Sequence, residues 1–262
     1  MSNHEQNTSQ NPQVEHTTGN GTSVQELRNT LRVMILKGEI PPGTILSQVQ
    51  LAEQLHTSRT PLREALRMLQ AEGMIVAEEN RRVQVPKFEA QDLDSVYANR
   101  IILETLGIAL TVPLLSEADF EKISAALAEL SNAAQQNDLF AWEEAHNRYH
   151  ALLVMHAGVE LTRTLARYVD QSARFRLLYV QQEPRGVTVR PAAREEHEKI
   201  FMACRGRDRD TAVVELARHL ARTALTLIAQ LAPEYEPRAV RTALELVTEA
   251  RKTQPRDSNP NA

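Results

Sequence analysis

The chain has 262 residues, 24% of them charged, and a net charge of −4, so it is longer than one small domain needs and too acidic for nucleic-acid binding spread uniformly over its surface. The single cysteine, Cys204, excludes an internal disulfide framework. No apolar run resembles a signal peptide or a membrane span, which makes a cytoplasmic protein without a membrane partner the expectation.

Residues 1–22 are polar, rich in Asn, Gln, Thr and Ser, and are expected to be a disordered tail, as are residues 252–262. Leu27 to Leu36 has the apolar spacing of an amphipathic helix, and Gly38 to Gly43 reads as a turn. A second helix is expected from Ser47 to Leu55, with Val49, Leu51, Ala52 and Leu55 on its apolar stripe. His56 and Thr57 then turn the chain, and Ser58 stands at an N-cap position. Pro61 fits the first turn of a third helix, where a missing N–H costs nothing. Leu62, Ala65, Leu66 and Leu69 bury one face of that helix, while Arg59, Arg63 and Arg67 share the other. Gly73 ends it.

Met74–Ile75–Val76 and Val83–Gln84–Val85 are short β-prone runs expected to form a small hairpin, with Asn80, Arg81 and Arg82 at its tip. Two helices joined by a tight turn, the second opening with arginines, have the form of a DNA-reading helix-turn-helix, and the hairpin adds a wing. Between residues 24 and 86 there are eight Arg or Lys against seven acids, a net of +1, so the arginines are placed rather than abundant. Such weak local basicity suggests that two protomers act together on a repeated half-site.

In this order, ILKGEIPPGTILSQVQLAEQLHTSRTPLREALRMLQAEGMI resembles the N-terminal winged helix of the GntR family of bacterial transcription regulators, and the likeness runs over residues 24–86. The resemblance implies DNA contacts from Ser58, Arg59, Thr60 and Arg63, with Arg67 and the wing residues Asn80, Arg81 and Arg82 as further candidates. Two positions depart from the family: Val49 stands where some members carry an operator-reading arginine, and the wing tip lacks the usual glycine.

After Pro86–Lys87–Phe88 the chain becomes a succession of amphipathic segments, with helices expected at 89–112, 116–135, 138–156, 158–181, 191–205, 208–232 and 237–251. One β-prone run, around residues 186–189, falls in a loop between them. The fold class expected for the whole chain is mainly α: a winged helix-turn-helix over 23–86, then an all-helical bundle of six or seven helices over 89–251, large enough for a ligand cavity.

Histidines carry the chemistry of the second half. His146 and His150, spaced i, i+4, share one helix face with Cβ atoms about 6 Å apart, which suits two imidazoles on one metal. His197 and His219 stand on two later helices, each in a position able to face inward. Two readings remain open on the residues alone: packed or solvated histidines, or ligands of one ion. Arg100, Arg174 and Arg176 are candidates to grip an effector carboxylate, or else form ion pairs, the latter two lying amid apolar neighbours. Trp142, Tyr149 and Tyr168 read as packing residues, and Arg100 and Glu104, at i, i+4, as partners of each other.

HNRYHALLVMHAG and REEHEKIFMACRGRDRDTAVVELARHLART are similar to the FCD ligand-binding domain of the FadR branch of the GntR family, and DLDSVYANRIILETLGIAL, with Arg100 and Glu104, resembles that domain's first helix. The resemblance implies a divalent metal held by His150, His197 and His219 and a small-molecule effector. His146 takes the place of the family's aspartate. An all-imidazole set favours zinc or nickel over harder ions, and a cationic site suits an effector with a carboxylate. Together these features lead to the expectation of a cytoplasmic homodimeric repressor that binds an inverted-repeat operator in double-stranded DNA. The rivals are a helical metalloenzyme, which lacks an evident general base, and a DNA-binding protein whose second domain only dimerises.

Overall fold

The computed structural model describes residues 23–78, 82–182 and 191–250. Both expected tails, Asn80 and Arg81 at the wing tip, and the β-prone run at 186–189 lie outside the described residues.

Helix α1, Val24–Leu36, starts on a reciprocal cap: Glu26 N donates to Ser23 Oγ at 3.1 Å, and Ser23 N donates to Glu26 Oε2 at 2.7 Å. α2, Gln48–Gln54, and α3, Arg59–Ala71, form the helix-turn-helix. His56, at φ 49°, makes the turn in a left-handed conformation. Ser58 stands at the N-cap of α3, but its side chain makes no capping bond. Gly73, at φ 73°, reverses the chain after α3 as its sequence position requires.

The sheet departs from the expected hairpin. β1, Ile45–Ser47, has no counterpart among the expected strands; it pairs antiparallel with β3, Arg82–Gln84, which also pairs with β2, Val76–Glu78. The order β1–β3–β2 makes three strands, and β2 begins two residues later than its apolar run. Met74 and Ile75 are both fully buried in the core beneath the helices, so neither alternates in and out as a paired strand residue would. Leu31, Leu51, Leu62, Leu66, Leu69 and Val83 join them in one apolar cluster.

Seven helices follow among the described residues: α4 Ala90–Thr111, α5 Glu117–Gln135, α6 Leu139–Leu153, α7 Val159–Gln182, α8 Pro191–Arg205, α9 Arg209–Leu231 and α10 Arg238–Glu249. Three of their starts coincide with capping side chains: Ser116 and Asp119 cap α5 reciprocally, Asp138 accepts from Phe140 N and Ala141 N, and Asp208 accepts from Thr211 N. The second apolar cluster gathers around α4, which packs against α7, α9 and α10.

α6 ends three residues before the expected 156, so His156 leaves the helix: its backbone N donates to Thr111 Oγ1 at 3.2 Å, and its ring meets Asp119 Oδ2 at 3.2 Å. The turn after α6 lies close against α4, where a Cβ added at Gly107 would stand 2.7 Å from Val154 Cγ1. Gly107→Ala is therefore expected to destabilise the protein by about 1–3 kcal/mol, read by urea denaturation, because overpacking here outweighs the helix propensity gained.

The start of α6 packs on the first apolar cluster at a junction between the two halves. Leu139 and Phe140, at the start of α6, pack on the first cluster, and Lys37 Nζ lies 5.1 Å from the centre of the Phe140 ring. Arg32 of α1 pairs with Asp170 of α7 at 2.8 Å.

Candidate metal centre and nucleic-acid interface

α6 presents His146 and His150 to the bundle interior one turn apart, α8 brings His197 and α9 brings His219. All four are at least 96% buried, and one donor atom from each can be chosen so that the four lie within 4.8 Å of one another. The His146 and His150 ring centres are 4.5 Å apart and those of His197 and His219 4.4 Å. Four sequence candidates spread over 74 positions are thus brought to one place.

Carboxylates stand behind two of the rings. Glu104 Oε2 lies 2.7 Å from His150 Nδ1, and Glu196 Oε2 lies 2.8 Å from His219 Nδ1. With each carboxylate ionised, Nδ1 carries the proton and Nε2 offers its lone pair inward, the arrangement that orients histidine ligands. Glu104 also accepts from Arg100 Nε at 2.6 Å, and Glu196 pairs with Arg222. Burial raises the Glu104 carboxyl, but Arg100 and His150 together outweigh it and hold the group at about 2. Burial likewise raises Glu196, and the contacts with His219 and Arg222 bring it below its ordinary value.

Burial drives the His146 and His150 imidazoles toward neutrality: His150 is lowered to about 4 despite Glu104, and His146 is held well below its ordinary value by burial and by the neighbouring charges of His150 and Arg176. Neutral imidazole is the form that ligates a metal. His146 Nδ1 and His150 Nε2 are buried without a hydrogen-bond partner among the described residues, which is costly for a polar atom unless something else engages it. The donor set and the unengaged nitrogens fit a divalent ion. The expectation of a purely cationic surrounding needs correction, because Glu104 and Glu196 supply negative charge just behind the rings.

In sequence Glu104 reads only as a partner of Arg100, and Glu196 gives no functional signal at all. Glu196 sits in the run Arg194–Glu195–Glu196, which has the pattern of a solvated helix start, and nothing local links it to His219, 23 positions later. Trp142 stacks on His146 with ring centres 4.8 Å apart, and Tyr149 Oη donates to the His197 carbonyl at 2.7 Å, so both brace the cluster.

Of the three arginines singled out, Arg100 and Arg176 lie on the cluster's side of the bundle. Arg100 is fully buried with Nη2 unpartnered among the described residues, and Arg176 is held by a buried pair with Glu143. Burial lowers the Arg176 guanidinium, but Glu143 and Tyr97 reverse this and raise it above its ordinary value. Arg174, two residues from Arg176, faces the other way, with its guanidinium 5.2 Å from the Phe175 ring and attracted by Asp92. Glu143→Ala is expected to cost about 3–5 kcal/mol in chemical denaturation, because Arg176 would be left as an uncompensated buried charge.

On the other half, Ser58, Arg59, Thr60 and Arg63 are exposed at the start of α3, and neither Arg59 nor Arg63 makes an ion pair among the described residues. Arg67 is exposed but engaged by Glu64 at 2.8 Å. Arg82 is exposed in β3, opposite Glu78. Val49 is exposed on α2 beside this face. Two free guanidiniums projecting from a helix start present fork-shaped donors to anions or base edges.

Residues 23–85 match the sequence model for bacterial regulatory proteins of the gntR family, and residues 95–222 match that for the FCD domain. The HTH-type transcriptional regulator YdhC of Bacillus subtilis is 26% identical over 196 residues, 73% of this chain and 84% of YdhC. The HTH-type transcriptional repressor GlaR of Escherichia coli is 26% identical over 195 residues, 71% of this chain and 89% of GlaR. Among solved structures, E. coli McbR/YncC superposes with a TM-score of 0.67 at 22% identity, over 79% of this chain and 98% of that one, a likeness of fold. These relatives are named transcription regulators, which sets the metalloenzyme reading aside. With a winged helix-turn-helix followed by an FCD domain, the chain belongs to the GntR family of bacterial transcription regulators.

Proposed function

We propose that this regulator is a repressor in which residues 23–86 bind operator DNA and residues 89–251 bind a divalent metal and a carboxylate effector that controls operator affinity. The observation that carries the reading is the buried set His146, His150, His197 and His219, drawn from three helices and backed by Glu104 and Glu196. The metal, zinc or nickel, would be held by the four imidazoles and would anchor an effector carboxylate as a Lewis acid. Arg100, with Nη2 buried and unpartnered, is the donor best suited to the effector's free oxygen. GlaR is named a repressor, which supports the sign of regulation.

Two copies on an inverted repeat compensate for the weak basicity of one winged helix. Ile102, Leu106, Leu110 and Leu114 form an exposed apolar stripe along α4 and the turn after it, a face suited to a second copy of the chain. No helix among the described residues is long and apolar enough to cross a membrane. The cytoplasm, where operator DNA is found, is the compartment this function requires.

Metal preference tests the site directly. Chelated protein titrated by calorimetry should take up zinc or nickel at one site per chain and bind manganese weakly. His146→Asp, which adds a hard anionic ligand, should shift that preference toward manganese. Equal, weak binding of all three ions by both proteins would refute the site.

A further inference from the structure

One helix touches both the histidine cluster and the DNA-binding half. Ser172 of α7 is fully buried, and its Oγ accepts from Arg100 Nη1 at 2.7 Å and from Arg176 Nη1 at 3.0 Å. Arg100 donates to Glu104, and Glu104 holds His150, so a continuous line of hydrogen bonds runs from a candidate metal ligand to α7. Two residues before Ser172, Asp170 accepts from Arg32 of α1 at 2.8 Å. Gln171, between them, lies so close to the turn after α3 that a Cβ added at Gly73 would stand 2.3 Å from its Nε2. α1 is in turn tied to the end of α3 by Arg28 and Glu72 at 2.8 Å.

Resting on the metal reading above, we propose that Ser172 and Asp170 are positioning residues through which occupancy of the histidine site changes how α1 and the recognition helix α3 are held. Ligation would draw His150 toward the ion, and Glu104 and Arg100 would follow because each is hydrogen-bonded and fully buried. Packed interiors compress little, so α7 takes up the displacement at Ser172 and delivers it at Asp170. The Arg32–Asp170 pair is partly exposed, with side chains 21% and 23% accessible. Such a pair is weak enough to open and close, which supplies the two-state contact that coupling between distant sites requires. Leu139 and Phe140 provide apolar contact at the same junction, so the two halves stay together when the ion pair opens.

The test compares full-length wild type, Ser172→Ala, Asp170→Arg and the swap Arg32→Asp/Asp170→Arg. Each is assayed for zinc affinity by chelator competition, and for affinity to a duplex selected from a random-sequence pool, with zinc present and absent. Wild type should show a zinc-dependent change in DNA affinity of about 5–150-fold. Ser172→Ala and Asp170→Arg should keep their zinc affinity while that factor falls toward one, and the swap should restore it. Melting temperatures measured beside these affinities separate loss of coupling from a general loss of stability, which the swap would also repair by restoring an Arg–Asp pair.

The wild-type factor persisting in both single variants would overturn the proposal, as would failure of the swap to restore it. Bound zinc with no effect on DNA affinity in wild type would overturn it while leaving the metal reading intact. Absence of zinc binding in wild type would sink both readings together.

Discussion

Chelating the proposed metal from the purified protein is expected to lower its melting temperature by roughly 8–16 °C. An ion present at a thousand times its dissociation constant stabilises the native state by about 4 kcal/mol, and a chain of this size loses roughly 2–4 °C per kcal/mol. The effect should be large because binding also engages His146 Nδ1 and His150 Nε2, which are buried without hydrogen-bond partners among the described residues. His150→Ala and His197→Ala should each abolish metal uptake by elemental analysis and lose the chelator-dependent shift. The chelator control is needed because truncating either buried ring destabilises the bundle by itself; a variant that melts lower but still responds to chelator has kept its metal. If wild type contains no metal after purification from zinc-supplemented cells and melts at one temperature with or without chelator, the four histidines are packing residues.

The second large effect concerns the recognition helix. Arg59→Ala and Arg63→Ala are each expected to weaken operator binding by about 1–3 kcal/mol per half-site, or about 5–150-fold, because each removes a free fork-shaped donor at the start of α3. On the proposed inverted repeat, where two protomers would bind, the loss would be felt twice. Arg67→Ala should cost less, since Glu64 already engages that guanidinium and the exchange for a phosphate gains little. All three side chains are exposed, so melting temperatures should stay within a degree or two of wild type. Gel-shift or anisotropy titrations at fixed salt separate the cases. Undiminished affinity in both Arg59→Ala and Arg63→Ala would remove α3 from the interface.

Much of the architecture is legible in the chain because it is written in short-range patterns. The apolar spacing Leu62, Ala65, Leu66 and Leu69 marks the buried face of α3, and Ser116, Asp138 and Asp208 mark where α5, α6 and α9 begin. Where a boundary departs from its pattern, a tertiary contact intervenes. The last residues of the expected helix at 138–156 unwind because His156 N finds Thr111 on α4 and its ring finds Asp119 on α5. β1 leaves no sequence signal because Ile45–Ser47 is too short to show a period, and it becomes a strand only by pairing with β3, 39 positions away at the Ile45–Gln84 pair. Arg174 and Arg176 look alike in sequence, yet opposite sides of α7 send one toward Asp92 and the other toward Glu143.

By itself, then, the sequence determined most of the helices and their ends, the helix-turn-helix with its exposed arginines, and the candidacy of four histidines, since periodicity and capping act within about four residues along the chain. Only the tertiary structure decided that those histidines meet, that Glu104 and Glu196 stand behind them, and that α7 bridges both halves. Such contacts join residues far apart in the chain, 138 positions in the case of Arg32 with Asp170, and they follow from how the helices pack rather than from any local pattern.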